Sequence, residues 1–280
     1  MSNTYKNIED YAFGEHKEAF IYLMKIFDAF SLRYFLIGAQ ARDVHFFQQG
    51  IKPIRGTRDI DFAVMVESME QYNELFEKLK ENGFETTAEP YRLIWNKGQT
   101  VIDLLPFGQI EQDHTVNFDE REIEISVLAY RELNEELEEY YLDEEKSISI
   151  PVPPLHGLFM LKLLSWDDKK PGREKDLRDL SQILENYWNF VENEAYEQHM
   201  DLFDNEFQMD KAAARILGRH LKRTIHKSEA LKKRILKILE EQATKIYPPG
   251  LLLQKFSVER DKSLEEVKSL LDEILKGIKE

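Results

Sequence analysis

Asp59 and Asp61 lie in the stretch Gly56-Thr57-Arg58-Asp59-Ile60-Asp61-Phe62-Ala63-Val64, two carboxylates set into an otherwise apolar, strand-like run. Strand side chains alternate between faces, so Thr57, Asp59, Asp61 and Ala63 share one face and Arg58, Ile60, Phe62 and Val64 the other. At about 3.3 Å of rise per residue the two acids stand roughly 6.5 Å apart at Cα. That spacing lets both carboxylates hold one hard cation or a pair of them. Left alone they would repel each other and cost folding energy. The rival arrangement is a salt-bridged edge strand in which Arg55 and Arg58 neutralise them. A third acid, Asp103, interrupts the run Thr100-Val101-Ile102-Asp103-Leu104-Leu105. A carboxylate there needs a partner or a metal if both strand faces are buried, and neither if one face is solvated.

Several elements must position these acids. Phe20, Ile21, Met24, Ile26, Phe27 and Phe30 recur at helical spacing and predict an amphipathic helix over 18–31. A short apolar strand over 34–37 ends at Gly38-Ala39, and a helix pattern over 40–49 follows and is closed by Gly50. A strand, tight turn and helix in that order present backbone N–H groups at the positive end of the helix dipole, and glycine lets a phosphate come close. An ordinary glycine turn reads the same way. A helix over 69–82 stops at Asn82-Gly83. Residues 91–95 and 100–105 form a hairpin across Asn96-Lys97-Gly98-Gln99. The β-rich half continues over 119–126, and the acidic segment to Lys146 reads as a solvated helix and loop. Pro151-Val152-Pro153-Pro154 marks the domain boundary, giving a catalytic domain over 1–150 and a helical domain over 151–280. Helices are expected over 155–166 and 174–191 and on to the C-terminus.

At 280 residues the chain can build a sizeable core in one or two domains. It has no cysteine, which excludes disulfides, thiolate chemistry and cysteine-ligated zinc and suits a reducing cytosol. The first residues lack a basic and then apolar leader, and no apolar run approaches the ~20 residues needed to cross a bilayer. A soluble, cytoplasmic protein without a membrane partner is expected. The net charge of −15 is strongly segregated: 131–145 holds eight acids against one base, and 211–237 holds ten Lys and Arg against one acid. In the basic run Arg215, Arg219, Lys222 and Arg223 fall at helical spacing, which suits an RNA backbone or a solvated helix face. The seven histidines show no paired metal spacing, and neither a Gly-x-Gly-x-x-Gly nor a Gly-Lys-Ser/Thr loop is present.

The order strand, Gly-turn, helix, Asp-x-Asp strand, helix and hairpin with a third acid resembles the nucleotidyltransferase core of the DNA polymerase beta-like enzymes. A second block, Leu161-Lys162-Leu163-Leu164-Ser165-Trp166 followed by Arg173-Glu174-Lys175-Asp176-Leu177-Arg178-Asp179-Leu180, is similar to the lysine helix and the charged segment of AbiEii-type nucleotidyltransferases, toxin components of toxin–antitoxin and phage-defence systems. The resemblance covers about 17 to 185. It implies an α+β fold, a polymerase beta-like mixed-sheet core with a C-terminal helical domain. It further implies magnesium-dependent transfer of a nucleoside monophosphate from an NTP to an acceptor, with two Mg2+ on Asp59, Asp61 and Asp103. Gly38, Ala39, Arg42, Thr57, Arg58 and Lys175 would contact the nucleotide, Lys162 the triphosphate or acceptor, and Asp176 would complete the site from the helical side. RNA, in particular a tRNA 3′ end, is the implied acceptor, and a cognate antitoxin the implied partner. Ala39 departs from the family's Ser or Gly, the gap from Gly38 to Asp59 is long, and Asp179 fits the last acidic position as well as Asp176. The residues by themselves also suit a non-catalytic module that keeps the core to bind a nucleotide or partner, and the Arg173 to Asp179 cluster reads equally as solvated i,i+3 and i,i+4 pairs.

Overall fold

Phe20 and Phe27, one face of the first helix, close on Phe62 in the Asp-x-Asp strand, with ring centroids 5.7 and 5.5 Å apart, and around this contact the N-terminal core is built. The structure is a computed structural model and describes residues 16–52, 59–95, 100–118, 122–141, 149–169, 172–244 and 248–280. The chain divides into two compact units, Met1–Pro154 and Leu155–Glu280.

In the first unit α1 (Lys17–Ala29) leads into β1 (Arg33–Ile37), α2 (Gly38–Gln48), β2 (Asp59–Val66), α3 (Met69–Glu81), β3 (Phe84–Thr86), β4 (Arg92–Trp95) and β5 (Thr100–Gly108). Five of these elements make one mixed sheet in the order β1-β2-β5-β4-β3, in which β2 and β5 run parallel and every other pair is antiparallel. The helix α3 begins where Ser68 accepts the Gln71 backbone N–H at 3.2 Å, and the Gln71 side chain accepts the Glu67 N–H in return. It is held to the sheet by Tyr72, whose hydroxyl donates to the Leu104 carbonyl at 2.7 Å. The two-stranded pair of β6 (Thr115–Phe118) and β7 (Ile123–Ser126) follows.

The acidic segment departs from the expected helix and loop. It forms one helical turn, α4 (Tyr130–Leu133), and then a strand, β8 (Glu138–Tyr141), that pairs antiparallel with β9 (Ser149–Val152). Tyr140, Ile150 and Val152 favour a pleated surface, while Glu138 and Glu139 stay exposed. Pro151 is accommodated opposite Glu139 within this two-stranded ribbon, so the proline-rich segment begins as a strand of the first compact unit, which runs to Pro154. His45 of α2 ties it in: its Nε2 donates to the Pro153 carbonyl at 2.8 Å, and its Nδ1 lies 2.8 Å from the Tyr140 hydroxyl.

The second unit is helical: α5 (Leu155–Asp168), α6 (Glu174–Gln198), a 3-10 turn at Met200–Leu202, α7 (Met209–Ile225), α8 (Glu229–Thr244), α9 (Leu251–Arg260) and α10 (Leu264–Lys279). Two glycines let α7 and α10 touch backbone to backbone. A Cβ at Gly218 would meet the Ile274 carbonyl oxygen at 2.1 Å, and one at Gly277 the Arg215 carbonyl oxygen at 2.2 Å. Ser263 and Glu266 form a capping box at the start of α10.

Candidate active site

The register of β2 and β5 decides which acids meet. Asp61 lies directly opposite Asp103, and Asp59 opposite Val101. Paired residues on adjacent strands project from the same sheet face, and i,i+2 residues share that face, so the three acids line one face, although their carboxylate oxygens do not all come within 4.8 Å of one another. Neighbouring strands are about 4.8 Å apart, which puts Asp61 closer to Asp103 than to Asp59 along β2.

Asp61 sits beside the start of α2. β1 passes into that helix with no intervening loop: Ile37, opposite Asp61 in register, is the N-cap, and Gly38 is the first helical residue, with φ +76°. A Cβ on residue 38 would lie 2.0 Å from Asp61 Oδ2. Glycine is required here twice, for its positive φ and to leave room for the carboxylate. The N-cap Ile37 has no side chain that could cap α2, and the Asp61 oxygen lies at the positive end of the helix dipole. The glycine read as a phosphate cradle thus first accommodates an acid.

Asp103 has a partner that the sequence did not disclose. Arg92, opposite it on β4, donates from Nε and Nη2 to the two carboxylate oxygens at 2.7 Å each. This bidentate bond raises the Arg92 pKa above its ordinary value. Burial, reinforced by the negative charge of Asp103, pushes the Tyr72 phenol well above its usual range and keeps it a donor. Ala39 is buried, and Arg42 has no exposed surface: its Nε donates to Asp43 at 2.8 Å and its guanidinium lies 5.7 Å from the Phe46 ring centre. Arg55, Thr57 and Arg58 lie outside the described residues, as does the turn over 96–99.

In the second unit a separate charged cluster is buried. Lys162 on α5 reaches Asp176 at 3.2 Å and Asp179 at 2.8 Å on α6, both acids being fully buried. Arg173 donates from Nε to Asp176 at 2.5 Å and from Nη2 to Ser165 at 2.6 Å. The solvated-pair reading of this segment does not hold, because burial without these partners would cost several kcal/mol per ion. Both acids serve the same lysine, while Lys175 faces solvent. The basic run is partly consumed: Arg215 bonds Glu273 and Glu280, and Arg219 bonds Glu280 and Asp201. Lys222 is half-buried, and Arg223, Lys233 and Lys237 are exposed.

The histidines hold one cluster that spacing could not reveal. Glu194, His199 and His220 bring their ligand-type atoms within 4.8 Å of one another, as a metal site would. Their hydrogen bonds indicate a different role. His199 Nδ1 accepts an Arg219 N–H at 2.8 Å, which leaves its Nε2 to carry the proton toward Glu194 Oε1 at 3.3 Å; His220 lies between the Tyr187 hydroxyl, 2.7 Å from its Nδ1, and Glu194 Oε1, 2.9 Å from its Nε2. A protonated Nε2 on His199 is no metal donor, and the Arg219 guanidinium at that ring opposes a cation. Residues 194, 199 and 220 meet only because the end of α6 and its C-cap His199 pack against α7, which no local motif encodes.

The nucleotidyl transferase AbiEii toxin family, of type IV toxin–antitoxin systems, matches residues 52–254, and the chain belongs to it. No curated protein matches the chain. Solved structures with a similar arrangement include the antibiotic-resistance factor ANT(2'')-Ia, at 14% identity over 66% of this chain and 94% of that one with a TM-score of 0.38. An antigenic nucleotidyltransferase-like protein from Paracoccidioides brasiliensis matches at 16% identity over 78% and 93%, with a TM-score of 0.38. The CdnE cyclic dinucleotide synthase of Elizabethkingia meningoseptica matches at 10% over 94% and 89%, with a TM-score of 0.29. Among the described residues no helix is long and apolar enough to cross a membrane.

Proposed function

We propose that the protein is a magnesium-dependent nucleotidyltransferase that moves a nucleoside monophosphate from an NTP to an acceptor, with RNA, and first a tRNA 3′ end, as the acceptor to test, and with a toxin role balanced by an antitoxin. The observation that carries the reading is the register of Asp61 against Asp103 with Asp59 on the same face. Two Mg2+ fit this donor set, because hard cations take carboxylate oxygens and the acids are direct sheet neighbours. In this reading Arg92 loosens its bond to Asp103 when the third carboxylate joins. Bound there, the ions would neutralise charge developing on the phosphate oxygens and acidify the acceptor hydroxyl.

The chain's own groups supply position. Gly38 and Ala39 leave backbone N–H groups at the head of α2 for an anionic phosphate. Arg92, released from Asp103, becomes a guanidinium available to the triphosphate. Thr57, Arg58 and Lys175 complete the nucleotide contacts in this reading, and Arg42 is left to hold Asp43 because it has no exposed surface. Asp176 and Asp179 fix the Lys162 ammonium, which is assigned to the triphosphate or acceptor. The exposed members of the basic run, Arg223, Lys227, Lys233 and Lys237, support a polyanionic acceptor.

The test is incubation with labelled NTPs, Mg2+ and total RNA, in which wild type transfers label and Asp59→Ala and Asp61→Ala do not. A second reading, favoured by the Arg92–Asp103 bond, is a module that binds NTP without turnover; calorimetry would then show Mg2+-dependent NTP binding with no labelled product on any acceptor.

A further inference from the structure

The end of α6 and the segment leading into α7 carry an aromatic row that the proposed reaction does not use. Tyr196 stacks on Phe203 with centroids 5.0 Å apart and planes 22° apart, and Phe203 stacks on Phe207 at 4.8 Å and 13°. Trp188 stands beneath, its ring 6.2, 6.4 and 5.8 Å from those of Tyr196, Phe203 and Phe207. The outer surface is open: Tyr196 is 54% exposed, Met200 62%, Phe207 38% and Met209 49%. These four are half of the large hydrophobic residues exposed among the described ones, gathered into 14 consecutive positions. A contiguous apolar row of this kind costs solubility and marks an interaction surface, and Trp, Tyr, Phe and Met are the side chains that interface cores favour.

Charge selects the partner. Residues 192–210 contain seven acids and no Lys or Arg. Asp201 is bonded to Arg219, Asp210 to Arg260 and Lys262, and Glu194 to the two histidines. Glu192, Glu197, Asp204 and Glu206 are exposed and have no ion-pair partner among the described residues. Stacked rings would suit nucleic-acid bases, but base platforms lie in electropositive grooves, and an anionic lipid surface is repelled by the same acids. A protein segment carrying Lys or Arg beside apolar anchors satisfies both features, since its cations meet the rim acids and its guanidinium groups stack on the rings.

We propose that this aromatic row and its acidic rim form a docking surface for a basic, amphipathic segment of a partner protein. The test uses the full chain and a labelled 18-residue helical peptide of Leu, Lys and Arg, alongside a version with Glu in place of the cations, a 20-nucleotide single-stranded RNA and phosphatidylglycerol vesicles. Anisotropy is expected to show saturable binding of the basic peptide alone. Two surface variants, Tyr196→Ser with Met200→Ser, and Glu197→Lys with Asp204→Lys and Glu206→Lys, are each expected to weaken it at least ~10-fold while the melting temperature holds, because every changed side chain is exposed. Absence of saturable binding, equal binding by both variants, or RNA or vesicle binding that the variants abolish would overturn the proposal.

Discussion

Gly38 and Arg92 are the two positions where a single side chain decides what the acids can do. Any side chain at residue 38 must adopt φ +76° and enter the space of Asp61 Oδ2. Gly38→Ala is therefore expected to cost about 1–3 kcal/mol in thermal or denaturant unfolding. By displacing Asp61 it should also lower nucleotide transfer by about 100-fold, the scale of a ~1 Å misplacement. Arg92 makes the opposite contribution, neutralising Asp103 and occupying one lone pair on each of its oxygens. Arg92→Leu leaves that carboxylate buried without its donor, a loss of about 1–3 kcal/mol in metal-free buffer. Mg2+ should then raise the melting temperature of the variant more than that of wild type, because a ligand bound only by the folded state stabilises it. An identical Mg2+ response in both proteins would contradict a cation at Asp103.

In the second unit, packing of whole helices sets the response to acid and to substitution. His220 is buried, and burial pushes its pKa below the ordinary 6.5, against the opposing pull of Glu194. The unfolded chain therefore binds the proton more readily than the native one, so stability falls as pH drops from about 7 through 6.5 toward the lowered native value. Glu194 is held below its ordinary 4.5 by the histidines and Arg223, which outweigh its burial, and its share is lost only at lower pH still. The plot of melting temperature against pH between 7 and 5 should flatten in His220→Gln, and an unchanged slope would refute the assignment. Gly218→Ala must push α7 off the Ile274 carbonyl of α10 and is expected to lower stability by about 1–3 kcal/mol. The long periodic helices, the strand before Gly38, the Asp-x-Asp strand and the hairpin were legible in the sequence because each obeys a local period. The β8 strand was hidden by its glutamates and by Pro151, since strand identity there comes from pairing with β9. Arg92, and the meeting of Glu194 with His199 and His220, depend on register and helix packing between residues far apart in sequence, and no spacing rule reports them.

For the molecule as a whole, a net charge of −15 conceals a division of labour. Acids converge on one sheet face in the first unit. In the second, the half-buried Arg215 and Arg219 are drawn into ion pairs with Glu273, Glu280 and Asp201, while Arg223, Lys227, Lys233 and Lys237 stay exposed, Arg223 beside Glu194 and Lys237 beside Glu241. Membership of the AbiEii family and the alignment of Asp59, Asp61 and Asp103 point to one central claim, that these acids support nucleotidyl transfer. The most direct measurement compares transfer of label from an NTP to RNA by wild type and by Asp61→Ala, with melting temperatures recorded alongside. The account predicts transfer by wild type only, with the variant folded; transfer that persists in a folded Asp61→Ala protein would contradict it.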